Sequence, residues 1–380
     1  MKLKSRPFSL LVIQPTSFCN INCDYCYLST AHRNSKGIMS LEIVEQIFIK
    51  LFDNKLDETI NNTLVVWHSG EPLTVNIEFY RKTTEIIEKY RPKDWNIRQE
   101  ILTNGILIND EWCNLFKEYD YDVVVSLDGP DFIHNSNRKY RNQKGTFNEV
   151  MRGIQILRNN QIDFRILSTI TELSLNHCED LFQFYKEEEF NKVGLNFEEK
   201  SAYNSDSSLS HSILNKIEHF IDHLYKSTKN ESNIIIREFE RMENYLKFGD
   251  LYDIEYNTTT PLSNISIDRK GNFSTFSAEL LGMDHNRFGD FSFGNIMTDD
   301  FKDLLNNENF KLVYNEILEG IKLCKEECDY FEVCGSSKPD AKLSSNGCSP
   351  NMGYFNTTTS LHCLINVKTM ANALIENLID

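Results

Sequence analysis

The sequence predicts an α/β fold, in which a partial, TIM-like (β/α)6 barrel precedes a small α+β domain with metal-ligating cysteines. Three observations support this prediction. Six apolar, β-branched segments alternate with helical segments up to residue 197, as in parallel sheets that are covered on both faces. Six units are too few for the closed eight-stranded barrel. Eight of the ten cysteines lie in two groups, within residues 19–26 and 324–363.

Hydrophobic spacing places the barrel elements in order. Apolar runs predict strands at residues 8–13, 63–68, 98–103, 122–127, 163–170 and 192–197. Apolar residues at helical spacing predict the intervening helices at residues 40–54, 76–90, 109–119, 146–160 and 175–189. We expect the barrel to occupy residues 1–230.

The remaining residues, 231–380, are expected to form the second domain. A helix at 211–228 is predicted before this boundary and one at 237–249 after it, and a hairpin at 265–275 turns at Lys270-Gly271. A short strand at 291–296 and a helix at 299–318 follow. Beyond Leu323 the sequence predicts irregular structure until a last helix near residues 364–378.

Charge and composition exclude several classes of function. The 380-residue chain has a formal net charge of −16, which argues against a nucleic-acid partner, because phosphate binding needs clustered Lys and Arg. The sequence contains no run of about 18 apolar residues, so no membrane span is predicted. The N-terminus has no signal-peptide cleavage site, and ten cysteines in such a chain indicate metal ligation in the reducing cytoplasm. Cys113 and Cys178 stand apart in predicted helices and are expected to be buried without a ligand role.

The first cysteine group has the spacing C-x3-C-x2-C, at Cys19, Cys23 and Cys26, directly after the first strand. Three thiolates from one loop can hold a four-iron cluster and leave one iron open to a small molecule. The alternatives are a zinc knuckle, which needs a fourth nearby ligand, and unrelated buried cysteines.

Polar and glycine-rich turns follow the next three strands. They are Gly70-Glu71-Pro72, Thr103-Asn104-Gly105 and Ser126-Leu127-Asp128-Gly129. Chemistry in barrels of this kind gathers at the carboxyl ends of the strands. We therefore expect these turns to surround the cysteine loop.

This combination resembles radical S-adenosylmethionine (radical SAM) enzymes, in the cysteine spacing, in Tyr25 before the last cysteine and in the Gly-Glu-Pro turn. The resemblance implies that Cys19, Cys23 and Cys26 hold a [4Fe–4S] cluster whose open iron binds S-adenosylmethionine. An external donor of the flavodoxin or ferredoxin type would supply one electron. Cleavage of the cofactor would then leave a 5′-deoxyadenosyl radical that abstracts hydrogen from an unactivated carbon.

The resemblance also assigns residues to the cofactor: Tyr25, Gly70, Glu71, Asn104, Ser126 and Arg138. The Gly70-Glu71 stretch would contact the amino group, through Glu71 or nearby carbonyls, and Ser126 the ribose, with help from Asn104. Arg138 would pair with the methionine carboxylate. The alternatives are loop capping for Ser126 and Asn104, and a solvated surface arginine for Arg138, with Arg141 in its place. His68 is interpreted as a core histidine or a residue of the cavity wall.

The second cysteine group resembles the SPASM or twitch extension of radical SAM enzymes that modify peptides and proteins. Cys324, Cys328, Cys334 and Cys363 match the ligands of its auxiliary [4Fe–4S] cluster, although the first gap is one residue longer. A zinc site with the same thiolates, and Cys348 in place of Cys363, are the alternatives. Phe276 and Lys338 stand where the full extension has further cysteines. One auxiliary cluster is therefore expected, not two.

Three stretches indicate the substrate: Ser274–Leu281, Phe293-Gly294-Asn295 and Cys334-Gly335 followed by Pro339. They resemble maturases that install carbon–carbon (cyclophane) crosslinks in ribosomally synthesised precursor peptides. Glu279 would accept the proton released in this reaction, and Asp284 and Asp340 are alternative acceptors. The non-functional interpretation is that these residues belong to a solvated acidic face. Other activities stay open: thioether formation, epimerisation or sulfatase-maturase-like oxidation of a peptide, or a non-catalytic iron–sulfur or zinc scaffold.

Overall fold

A single ten-stranded sheet organises the protein. The computed structural model describes residues 7–53, 61–200, 206–231, 233–248, 258–336, 338–345 and 353–379. The strands of the sheet lie in the order β10-β9-β8-β1-β2-β3-β4-β5-β6-β7. The strands from β1 to β7 are parallel to their neighbours, as is β8 to β1, whereas β9 and β10 are antiparallel.

The first six strands and their helices form the predicted partial barrel. The strands are β1 (Leu10–Ile13), β2 (Asn62–Trp67), β3 (Asn96–Thr103), β4 (Tyr121–Ser126), β5 (Phe164–Ile170) and β6 (Lys192–Phe197). The helices are α1 (Thr30–Asn34), α2 (Leu41–Asp53), α3 (Ile77–Tyr90), α4 (Asp110–Glu118), α5 (Asp131–Asn137), α6 (Phe147–Asn159), α7 (Glu172–Asn176) and α8 (Cys178–Glu187). Each predicted barrel strand is present, and one predicted helix is divided into α7 and α8.

The two faces of the sheet are both buried. Alternate residues of a strand point to opposite faces. In β1, Leu11 and Ile13 join the large core beneath the helices, whereas Leu10 and Val12 pack with β2 residues in a separate small cluster on the inner face. This explains why the strands are almost continuously apolar.

The C-terminal hairpin extends the barrel sheet. After α9 (Leu214–Glu231), β7 (Ile235–Ile236) and α10 (Arg237–Phe248), the strand β8 (Asn264–Ile267) pairs with β1. The predicted turn at Lys270-Gly271 joins β8 to β9 (Asn272–Thr275), and β10 (Gly294–Asn295) pairs with β9. The sheet is therefore continuous across the expected domain boundary, and the sequence did not indicate the short strand β7.

The prediction of irregular structure beyond Leu323 is wrong. The helix α11 (Glu308–Glu327) runs past Cys324, and α12 (Phe331–Cys334) and α13 (Pro339–Ser345) follow. Asn307 caps α11 by accepting a hydrogen bond from the Phe310 amide. The helix passes through Gly320 without a break, and a Cβ there would lie 2.5 Å from the Phe355 carbonyl oxygen. Close packing, not flexibility, explains this glycine.

The last helical segment contains a cysteine of the second group in its first turn. Ser360 accepts a hydrogen bond from the Cys363 amide at the start of α14 (Leu361–Cys363). A π-helical stretch, Leu364–Thr369, then continues into α15 (Met370–Ile379). Among the described helices, none has the length and apolar character that a membrane crossing requires.

Candidate active site

Two arginines fix the loop that carries the first cysteine group. Arg33 donates through Nη1 to the Cys23 carbonyl oxygen at 3.0 Å, and Arg141 donates through Nη2 to the Cys19 carbonyl oxygen at 2.8 Å. These bonds hold the main chain of the loop. The thiols of Cys19, Cys23 and Cys26 line a large cavity at the carboxyl ends of the strands.

Gly70 allows the turn after β2 to approach this loop. Its φ is +57°, and that of Ser69 is +78°. A Cβ at Gly70 would collide with the Phe18 carbonyl oxygen, and the Glu71 amide donates to that same oxygen at 2.7 Å. A side chain at position 70 would therefore push the cysteine loop away.

The Glu71 carboxylate joins the ends of β2 and β3. Its Oε1 accepts hydrogen bonds from the Leu73 amide at 2.9 Å and from Thr103 Oγ1 at 2.7 Å, and its Oε2 accepts one from the Asn104 amide at 2.7 Å. Burial raises the pKa of Glu71 to about 7, although these hydrogen bonds oppose the shift. The carboxylate thus has a structural task in addition to its place in the cavity wall.

Asn104 and Ser126 occupy the expected strand ends, and both line the cavity. Asn104 donates through Nδ2 to Asn20 Oδ1 at 2.7 Å, while its Oδ1 accepts from the Ile106 amide. It therefore caps its own turn and also binds the cysteine loop. The structure therefore agrees with the capping interpretation, and the contact of Asn104 with the cofactor stays a prediction.

Arg138 is buried in the cavity wall and is not a solvated surface residue. Its Nε donates to Asp128 Oδ1 at 3.0 Å, and its guanidinium lies 5.4 Å from the centre of the Tyr25 ring. Tyr25 donates its hydroxyl to Asp128 Oδ2. Asp128 thus orients both predicted cofactor residues, and Arg141 is engaged elsewhere on the cysteine loop.

The first cysteine group suits an iron–sulfur centre. Burial raises the pKa of the Cys23 thiol to about 12, and burial likewise raises the pKa of Cys19 and Cys26. Such thiols are protonated at neutral pH unless a metal cation stabilises the thiolate. Within the described ranges, no three His, Cys, Asp or Glu side chains lie close enough to hold a single metal ion.

The second cysteine group converges from three helices. Cys324, Cys328, Cys334 and Cys363 line one small cavity. Burial raises the pKa of Cys363 to about 11, and the neighbouring thiols of Cys334, Cys328 and Cys324 add to the rise. The four residues therefore lie together and fit a shared centre, whereas Cys348 lies outside the described residues.

One cavity of about 730 Å³ connects the predicted sites. Its wall includes the first three cysteines, the six predicted cofactor residues, Glu279 and Cys334. Cys334, His362 and Val367 also line the small cavity of the second cysteine group. The large cavity therefore reaches the second cysteine group at Cys334.

A group of charged side chains lies in the wall of this cavity, here termed the Lys338 cluster: Glu199, Glu279, Lys338, Asp340 and His362. Lys338 Nζ lies 3.5 Å from Asp340 Oδ2, 3.7 Å from Glu199 Oε1 and 3.8 Å from Glu279 Oε2. Burial raises the pKa of Asp340 to about 7, against the opposing effect of Lys338 and with the help of the Glu279 charge. The buried Asp340 Oδ1 has no hydrogen-bond partner among the described residues.

Of three other residues considered in the sequence, one lines the cavity and two do not. His68 lines the cavity, and burial lowers its pKa to about 4, so its ring is neutral at pH 7. Asp284 is exposed and is not part of the cavity wall. Phe276 is fully buried and stacks on Phe310 and Tyr314, at ring-centre distances of 5.9 and 6.0 Å.

Sequence reasoning missed several residues of the site. Glu199 follows β6 closely, so the strand-end rule that identified Ser126 also applies to it. His362 precedes a predicted ligand, and it pairs with Glu199 at 2.6 Å. Asp128 was noted only as part of a turn, although it follows β4. For Lys338, the sequence shows only that a cysteine of the full extension is absent at this position, and nothing in it indicates a charged cluster.

Comparison with protein families identifies the barrel. Residues 13–185 match the model of the Radical SAM superfamily. The chain is 38% identical over 376 residues to "Uncharacterized protein sll1766" of Synechocystis sp., an alignment that covers 97% of this chain and 92% of that protein. It is also 28% identical over 356 residues to a cysteine-type anaerobic sulfatase-maturating enzyme of Clostridium perfringens, covering 90% and 93% of the two chains.

A solved structure shares the fold over nearly the whole length. It is native anSMEcpe with bound AdoMet and Cp18Cys peptide, with a TM-score of 0.77, 22% sequence identity and coverage of 97% of each chain. At this level of identity the likeness concerns the fold. The family match, the cysteine loop and the turns around it agree, and the chain belongs to the radical SAM superfamily.

Proposed function

We propose that this protein is a radical SAM maturase that forms a carbon–carbon (cyclophane) crosslink in a ribosomally synthesised precursor peptide. The observation that carries the proposal is the shared cavity, whose wall contains the first cysteine group, Cys334 and the Lys338 cluster. The relative from Clostridium perfringens is named for protein maturation, and anSMEcpe was solved with a peptide. Both support a peptide substrate here.

The residues at the strand ends would bind and orient the cofactor. Cys19, Cys23 and Cys26 would hold a [4Fe–4S] cluster, which together with S-adenosylmethionine would supply a radical able to take a hydrogen atom from a carbon. Gly70 and Asn104 place the turns against the cysteine loop, and Asp128 holds Arg138 and Tyr25 in the wall. Apolar residues of the wall, such as Leu102 and Phe197, exclude water from that space.

Crosslink formation must release one more electron and one proton. Hydrogen loss from Cβ creates a carbon radical that adds to an aromatic ring, and loss of an electron and a proton restores aromaticity. The second cysteine group would hold an auxiliary [4Fe–4S] cluster as the electron acceptor, and the position of Cys334 in the wall of the large cavity supports this role. An external donor of the flavodoxin or ferredoxin type would supply the electron that starts each turnover.

Two carboxylates are placed to accept the proton. Glu279 is the residue expected from sequence, and it lies 3.8 Å from Lys338. Asp340 has the stronger physical case, because its pKa is raised to about 7 by burial and its Oδ1 has no hydrogen-bond partner among the described residues. We propose that Asp340 accepts the proton and that Glu279 and Lys338 set its charge.

Oxidation within one side chain is the second candidate, because the sulfatase-maturating relatives align over most of this chain. Phe276 and Lys338 argue against it. In the family, that role usually goes with two auxiliary clusters, and these positions would have to supply ligands. Phe276 stacks in an aromatic core instead, and Lys338 binds three carboxylates.

Tandem mass spectrometry of a precursor peptide coexpressed with the protein tests the proposal. A crosslink removes two hydrogens and suppresses backbone fragments between the joined residues. Oxidation of one side chain to a carbonyl leaves fragmentation intact and creates a group that reacts with hydrazides. A modified peptide with complete fragmentation and hydrazide reactivity would replace the crosslink with the second candidate.

A further inference from the structure

We propose that Lys342 tunes the second iron–sulfur centre as an electron acceptor, by donating a hydrogen bond to the sulfur of its ligand Cys324. Lys342 is a positioning residue in this account, because it acts through the ligand and does not touch the peptide. The inference rests on the proposed function, in which that centre receives an electron from the crosslinking reaction.

The contact is direct and buried. Lys342 Nζ lies 3.2 Å from Cys324 Sγ and 2.6 Å from Ser336 Oγ. Lys342 is 6% exposed and Cys324 is 5% exposed. A long, flexible side chain with a strongly hydrated head group is rarely buried to this extent unless the head group is paired. The Cys324 sulfur and the Ser336 hydroxyl provide partners inside the protein.

The chemistry of this contact favours the reduced centre. Hydrogen bonds to ligand sulfurs and nearby charge are among the factors that set the potential of an iron–sulfur cluster. An ammonium group next to a ligand sulfur stabilises the extra negative charge of the reduced state, and burial strengthens this effect. Lys342 therefore raises the reduction potential and makes the centre a better electron acceptor.

The position of Lys342 relates this effect to the substrate cavity. The helix α13 carries both Asp340, which lines the large cavity, and Lys342, which lines the small cavity of the cysteines. One short helix thus carries the group that accepts the proton and the group that favours acceptance of the electron. Both products of ring rearomatisation would leave past the same helix.

A redox titration followed by electron paramagnetic resonance tests the inference without any peptide. The full chain would carry Cys19→Ala, Cys23→Ala and Cys26→Ala, so that only the second centre contributes. Lys342→Met removes the charge and the donor, Lys342→Arg keeps both, and Ser336→Ala removes the hydroxyl that also contacts Lys342. Iron content is measured on every variant.

Lys342→Met is expected to keep its iron and to be reduced less easily. The ratio of reduced to oxidised centre at a fixed potential should fall about tenfold, which is about 59 mV for a one-electron couple. Lys342→Arg and Ser336→Ala should change this ratio less than about threefold.

Two results would overturn the inference alone. One is an unchanged potential in Lys342→Met, and the other is loss of the second centre from that variant, which would make Lys342 a structural residue. A parent protein that binds no second centre would also overturn it, and would contradict the proposed electron acceptor itself.

Discussion

Both cysteine groups contribute to the wall of one cavity, but they are built from different secondary structure. The first group occupies a single loop after β1, and Arg33 and Arg141 bind its main chain. The second group is spread over 40 residues, from Cys324 at the end of α11 to Cys363 in α14. A loop can enclose its centre by itself, whereas helix ends must be brought together by the tertiary fold. All three cysteines of the first group line the large cavity, whereas only Cys334 of the second group does.

Because only the first group is expected to bind the cofactor, loss of one of its cysteines should have the largest effect on the reaction. Cys19→Ala should abolish production of 5′-deoxyadenosine, because every later step depends on the radical. Liquid chromatography of the reaction mixture measures this product. Cys113→Ala is the matched control, since Cys113 is fully buried in α4 and lies outside both cavities. Continued cleavage of the cofactor by Cys19→Ala would contradict the assignment of the first group.

Loss of a cysteine of the second group should remove the second centre and leave the first centre active. The parent protein is expected to hold about eight irons per chain, as two [4Fe–4S] clusters, and Cys363→Ala about four. The variant should still cleave the cofactor but make no crosslink. Cys348→Ala serves as the control and should retain both clusters. Loss of iron from Cys348→Ala alone would show that Cys348, and not Cys363, is a ligand of the second centre.

Gly70→Ala tests how closely the turn after β2 must approach the first group. The added Cβ would collide with the Phe18 carbonyl oxygen, and the left-handed backbone adds about 1–2 kcal/mol of strain. We expect at least a tenfold slower cleavage of S-adenosylmethionine. Gly282→Ala is a matched control, because φ there is +81° but a Cβ would have no described atom within 4 Å. Equal effects of both variants would show that strain alone is responsible.

Asp340→Asn should leave cofactor cleavage unaffected and should change only the later step. Asp340 accepts a proton only when ionised, and its raised pKa is about 7, so the crosslinking rate should rise as the pH increases through this value. The asparagine variant should lose this pH dependence and crosslink about 100-fold more slowly, while 5′-deoxyadenosine production is retained. Glu279→Gln provides the comparison. If only that variant lost the pH dependence, Glu279 would be the acceptor.

The sequence predicts most of the barrel and the part of the site that surrounds the first cysteine group. Continuous apolar runs identify each strand from β1 to β6, and parallel strands necessarily bring Gly70, Asn104 and Ser126 to one edge. The pairing of β8 with β1 has no local signal, because it joins residues more than 250 positions apart. The Lys338 cluster is equally nonlocal, since it combines Glu199 with residues of α13 and α14.

Deuterium transfer tests the central claim that the radical of the first group acts on a carbon of the peptide in the shared cavity. A precursor peptide deuterated at Cβ of the residue to be crosslinked would be converted, and the 5′-deoxyadenosine would be analysed by mass spectrometry. The account predicts one deuterium in this product for each crosslink formed. Crosslinked peptide accompanied by unlabelled 5′-deoxyadenosine would contradict it.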